Sequence, residues 1–270
     1  MKINMSPSPT PHMPADRACT RTKSVPTLRD CVTPGVIKPL WLRRPDVDPL
    51  ETHWDGAPNE NKYNSIILSE GKDRWGTYQP PLPPLLLKSL ICQESDFDPN
   101  EVSESGYAGL TQISVEEARS EGLKVTAHED ERFVPTKNVH AGTGILQSKL
   151  DVMLHPETIS DDYPFAKKVV QAYEKYGRPS GGTVTWTLAL GAYNGGQGTV
   201  MRAMATAFDA NLNPLDWSNL IEPKDHPEKS PLYAATLEVF GPDKALSKYH
   251  EISKYPLQIL ARAPQGEEVA

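Results

Sequence analysis

Across residues 61–255 apolar side chains return at intervals of three, four and seven, each run is closed by glycine or proline, and no stretch alternates convincingly. That pattern predicts an all-α domain. Tyr63, Ile66 and Ile67 open a first helix, which Glu70-Gly71 is expected to end. Pro80-Pro81-Leu82-Pro83-Pro84 makes a stiff connector whose last proline fits the first turn of the next helix, where a missing N–H is harmless. Ser114-Val115-Glu116-Glu117 is a capping box for a short helix ending at Gly122, and residues 123–135 are expected to be loop. Val139, Leu146, Leu150 and Met153 give residues 138–153 one apolar face. Gly142 and Gly144 within it each cost about 1 kcal/mol against alanine, so a close contact is expected there. Phe165, Val169, Val170, Tyr173 and Tyr176 define a helix stopped by Gly177, and residues 185–193 are apolar all round, hence central. Further helices are expected over residues 199–208 and 232–240, the second capped by Ser230-Pro231 and closed by Gly241-Pro242.

The 270 residues can bury one sizeable core with an appendage. Ten of the 26 prolines fall within residues 1–58, where periodic apolar positions are few. The expected organisation is therefore a Pro-rich, irregular extension over residues 1–60, a helical domain over 61–255 and a tail over 256–270. Trp41 and Trp54 keep a docking or targeting role open for the extension, because aromatics in a solvated segment tend to pack on something. No apolar run approaches the roughly 18 residues of a membrane helix, and Met1 is not followed by the apolar core of a secretory signal, so the Sec route is not expected. A net charge of -7 disfavours nonspecific nucleic-acid binding. Cys19, Cys31 and Cys92 are odd in number and lack Cys-x-x-Cys spacing, and His140 has no ligand at metal spacing, so neither a disulfide framework nor a metal is expected.

The chemistry concentrates at Ile91-Cys92-Gln93-Glu94-Ser95-Asp96-Phe97. Leu87, Leu90, Ile91 and Glu94 share one helical face, which puts a carboxylate among apolar neighbours. Desolvation there raises its pKa toward what a general acid needs near neutrality, so Glu94 is the expected proton donor. Asp98-Pro99-Asn100 stops the helix and leaves the acid at its end. Asp96 and Asp98 read as turn formers. The following Gly106-Tyr107-Ala108-Gly109-Leu110 segment reads as a wall beside the acid, with Gln112 offering an amide.

These residues resemble the lytic transglycosylases with a lysozyme-like soluble-transglycosylase domain. Four blocks carry the likeness: Glu94-Ser95-Asp96-Phe97, residues 103–112, Asn138-Val139-His140-Ala141-Gly142, and Tyr193-Asn194-Gly195-Gly196-Gln197-Gly198. The departures, Tyr107 for Ala, Thr111 for Met, Gly195 for Ala and Gln197 for Pro, bear on subsite packing and substrate preference. The resemblance implies a lysozyme-like fold and cleavage of peptidoglycan glycan strands without a cofactor. Glu94 would protonate the bond between N-acetylmuramic acid and N-acetylglucosamine, and the muramoyl C6 hydroxyl would close a 1,6-anhydro ring. It also implies a cleft containing Ser103 and Tyr193. From the residues themselves, Ser103 is a turn-stabilising hydroxyl or a partner for an acetamido group. Gln112 and Asn194 either satisfy backbone or touch glycan, and Tyr233 matches the family's late Tyr-Val segment by one aromatic. A hydrolytic muramidase on the same scaffold, or an idle wall-binding part of a secretion, injection or phage apparatus reached through the extension, are the alternatives. Action on the bacterial wall, in the periplasm or outside the cell, would then need a phage or a dedicated export machine.

Overall fold

A computed structural model describes residues 48–54, 58–161 and 163–263. Trp41, Cys19, Cys31 and most of the Pro-rich segment lie outside these residues. Ten α-helices follow one another: α1 (Asn64–Asp73), α2 (Pro84–Ser95), α3 (Val115–Ser120), α4 (Pro135–Leu154), α5 (Pro164–Tyr176), α6 (Gly182–Gly195), α7 (Gln197–Asp209), α8 (Trp217–Ile221), α9 (Pro231–Phe240) and α10 (Pro242–Arg262). Among the described residues, β-pairing is limited to isolated bridges, two of them within residues 102–113. The fold is all-α.

Two apolar cores meet along α6 and α10. The first gathers Leu86, Leu90 and Ile91 of α2, Val139 and Leu146 of α4, Trp186 and Leu190 of α6, and Tyr255 and Ile259 of α10. The second gathers Val169 of α5, Met201 and Met204 of α7, Leu220 of α8, Leu232 of α9 and Ile252 of α10. Helix α6 serves both, which is why every residue from Thr185 to Gly195 is buried. Close approach explains Gly195, since a Cβ there would come within 2.7 Å of Ile252 Cδ1. Glycine replaces the family's alanine where α10 leans in.

Several boundaries differ from expectation. Helix α1 runs on through Gly71 to Asp73, because a glycine's penalty of about 1 kcal/mol is smaller than the gain from burying Ile67 and, just beyond the helix, Trp75. Helix α4 begins three residues early, with Pro135 in its first turn. Neither α8 nor α10 was expected. Pro256 sits inside α10, where a proline usually signals an end, and the helix passes through the point at which a tail was expected to begin. Ile259 and Ala263 beyond it are buried. At the other end, Leu50 is buried and the partly buried Trp54 packs against the first core.

Candidate active site

Glu94 occupies the last turn of α2, a helix started by Pro84 and buried from Leu86 to Ser95. The helix closes on Asp96 at φ 50°, and Phe97 follows at φ 63°. Left-handed backbone is costly for a bulky side chain, yet Phe97 is fully buried. With Gln112 at φ 47°, three of the four non-glycine residues with positive φ among those described fall in the turn after Glu94 and the wall segment that follows it. Such strain persists only where surrounding structure fixes it, and it collects at functional sites.

The surrounding structure is the wall over residues 103–113. Ser95 Oγ–H donates to Leu110 O at 2.9 Å, which ties the residue after the acid to the wall. Asn138 on α4 holds it from behind: its Nδ2 donates to Ala108 O at 3.0 Å, and its Oδ1 accepts from Thr111 N–H and Oγ–H, both at 2.8 Å. Gly142, one turn on, makes room for Thr111, whose Oγ1 would lie 2.3 Å from a Cβ at that position. The Asn-x-x-x-Gly block thus acts as a clamp on the wall. Arg132 Nη1 donates to Gly106 O at 2.7 Å from the far side, and Tyr193 on α6 donates its hydroxyl to Thr111 O at 2.8 Å.

Glu94 is 3 % exposed. Its Oε1 accepts from the Tyr255 hydroxyl, whereas Oε2 is buried with no hydrogen-bond partner. Burial pushes its carboxyl up to about 8; the Tyr255 bond pulls the other way, and the carboxylates of Glu251 and Glu117 add to the rise. The acid is therefore protonated at neutral pH, with one oxygen unengaged. The hydroxyls of Tyr193 and Tyr255 are themselves pushed up by burial, then by the charge of Glu94, so both remain donors. Tyr107 is raised by burial and by the surrounding carboxylates Glu117, Glu116, Glu94 and Glu251, which places the family's missing alanine in the same electrostatic neighbourhood.

A transglycosylase SLT domain profile matches residues 76–214. The chain belongs to that family. No curated protein matches it. Domains of the SLT type act on peptidoglycan, and the span runs from just before α2 to just past α7, taking in the acid, the wall and the Tyr193-Asn194 turn. Tyr255 and Glu251, which complete the surroundings of Glu94, lie beyond it on α10.

The structure brings some of the expected residues to the acid and assigns others to the scaffold. Tyr193 joins the Glu94 group through Thr111. Asn194 is fully buried, donates to Glu251 Oε1 at 3.0 Å, and leaves its own Oδ1 without a partner. Ser103 accepts from Tyr107 N–H at 3.0 Å, and Gln112 donates to Glu101 O and Gly109 O at 3.0 and 2.9 Å, so both bind backbone within the wall. Tyr233 packs instead with the second core, ring to ring with Tyr249 at 6.3 Å. Asp96 and Asp98 are exposed, and Asp98 caps Asn100 N–H in an Asx turn. The tyrosine that reaches the acid is Tyr255. Its signal was faint: Glu251 and Tyr255 stand four apart on an amphipathic run, interrupted one residue later by Pro256. A groove of about 730 Å³ opens elsewhere, lined by Arg178, Trp217 and Glu222 among others, and shares no residue with the Glu94 group.

Among the described residues, no group of three or more His, Cys, Asp or Glu could hold a metal ion. No helix among them is long and apolar enough to cross a membrane.

Proposed function

We propose that this protein is a peptidoglycan lytic transglycosylase in which Glu94 acts alone as acid and then base. The observation that carries the reading is the state of that one side chain: a neutral carboxyl at the end of α2, one oxygen oriented by Tyr255 and the other unengaged. Protonated Glu94 gives its proton to the glycosidic oxygen between N-acetylmuramic acid and N-acetylglucosamine. The resulting carboxylate takes the proton of the muramoyl C6 hydroxyl as that oxygen attacks C1. One carboxyl suffices because the nucleophile belongs to the substrate and needs only orientation.

A hydrolase would need a second carboxylate to activate water. Asp96 and Asp98 are exposed turn residues, Asp130 is paired with Arg132, and Glu131 with Lys137. The carboxylates that do neighbour Glu94 are already engaged: Glu251 binds Asn194 and Lys248, and Glu117 closes the α3 capping box. Mass spectrometry of fragments released from purified sacculi tests the proposal. Ends in 1,6-anhydromuramic acid, lighter than the hydrolytic products by one water, are expected. Predominantly reducing muramic acid ends would overturn it and turn attention to Glu117 and Glu251. We further propose that the packed unit begins before residue 61 and extends past 255, on the packing of Leu50, Trp54 and Ile259.

A further inference from the structure

Lys149 lies on α4 seven residues after Gly142, hence on the same helical face as the glycine that admits Thr111. It is partly buried, and among the described residues it makes no ion pair; its hydrogen bond is to Gln197 Oε1 at 2.8 Å. Gln197 opens α7 directly after the Tyr193-Asn194 turn, at the position where the family has proline. Burial lowers the Lys149 pKa, and the charge acting against that shift is Glu117, the same carboxylate that acts on Glu94, Tyr107 and Tyr193. The ammonium has three donors and engages one of them, with a neutral amide, so among the described residues two are left for an anionic group. The start of α7 has the same sign of potential, since Gly196 supplies no side-chain cap to its first N–H groups.

We propose that Lys149 is a specificity-determining residue, whose ammonium, aimed by Gln197, receives a carboxylate carried by the glycan substrate. The inference rests on the glycan-cleaving reading given above. Two sources supply that chemistry, the lactyl carboxylate of a muramoyl residue stripped of its peptide and the carboxylates of a stem peptide. For a chain of net charge -7, a partly buried cation at one point admits an acidic polymer there without making the whole surface attractive to polyanions.

The test measures kcat and KM separately for the full-length wild type, Lys149→Met, Lys149→Gln and Lys149→Arg. The substrates are peptide-free strands, peptide-bearing strands, and each of these with its carboxylates converted to methylamides. The wild type is expected to show a KM about tenfold lower for a carboxylate form than for its amide, the size of one charge-assisted hydrogen bond. Lys149→Met and Lys149→Gln abolish that preference with kcat within about twofold of the wild type, and Lys149→Arg restores part of it. A preference confined to peptide-free strands identifies the lactyl group, and one confined to peptide-bearing strands identifies the stem. Retention of the preference by folded Lys149→Met and Lys149→Gln overturns the proposal alone. Strands that the wild type neither binds nor cleaves overturn the glycan-cleaving reading and this proposal together.

Discussion

Helix α2 buries an ammonium and a carboxyl six residues apart, and their surroundings are opposite in kind. Lys88, fully buried, donates from Nζ to Leu50 O and Asn61 Oδ1, both at 2.6 Å, and lies 5.5 Å from the Trp54 ring centroid. Burial lowers its pKa, but neighbouring carboxylates including Glu60 and Asp48 work against that shift. Its charge is satisfied by a segment that wraps the helix from outside. Glu94 has one partner where it could accept several bonds, like-charged rather than opposite neighbours, and a strained turn immediately after it. Lys88 is what a buried charge looks like when it fastens structure; Glu94 is what one looks like when its proton is available. Concavity does not make this distinction, since the groove beside Trp217 is roomy but lies apart from both.

The sharpest way to break the contrast is to neutralise each residue without changing its shape. Glu94→Gln is expected to lower turnover about a thousandfold or more, since the amide cannot donate the proton. The same change should stabilise the fold at neutral pH. The folded-state pKa of Glu94 is raised from 4.5 to about 8, so between those values the folded protein holds a proton that the unfolded chain has released, and stability falls as pH rises across that window. Removing the ionisation should therefore gain on the order of 1–3 kcal/mol at pH 7, read as a higher Tm. A variant that keeps substantial activity, or that loses stability at pH 7, would dissolve the distinction.

Tyr255→Phe sharpens it from the other side. The hydroxyl orients Oε1 and favours the carboxylate form, so its loss should lower kcat about tenfold. It should also move the basic limb of the pH–rate profile, which falls near pH 8 in the wild type as the acid form is lost, to higher pH. Loss of activity with an unmoved limb would reduce Tyr255 to packing. Lys88→Met should leave kcat within about threefold while removing about 1–3 kcal/mol of stability, because the buried Leu50 carbonyl loses its donor. Deletion of residues 1–55 removes Leu50 and Trp54 and should reproduce that loss without adding fully to it when combined with Lys88→Met.

The burial of Glu94 at the end of its helix and the four sequence blocks were legible because they are local: a periodic apolar face, a stop signal and glycines at fixed offsets. The clamp function of Asn138 and Gly142 was half legible, since Gly142 within a helix implied close contact but not that its neighbour would be Thr111. Tyr255 and Glu251 were missed because their partner lies more than 150 residues away in the chain and Pro256 looked like a terminator. Tyr233 drew attention through an aromatic match, although its packing partner belongs to the second core. Short-range physics identified what Glu94 could do, and long-range packing decided what surrounds it.

The central claim is that Glu94 is a neutral carboxylic acid in the free protein at pH 7. Carbon-13 NMR of protein labelled at the glutamate side-chain carboxyls, with Glu94→Gln used to assign the signal, measures this directly. The account predicts a single-residue titration with a midpoint near pH 8; a midpoint in the ordinary glutamate range, with Glu94 ionised at pH 7, would contradict it.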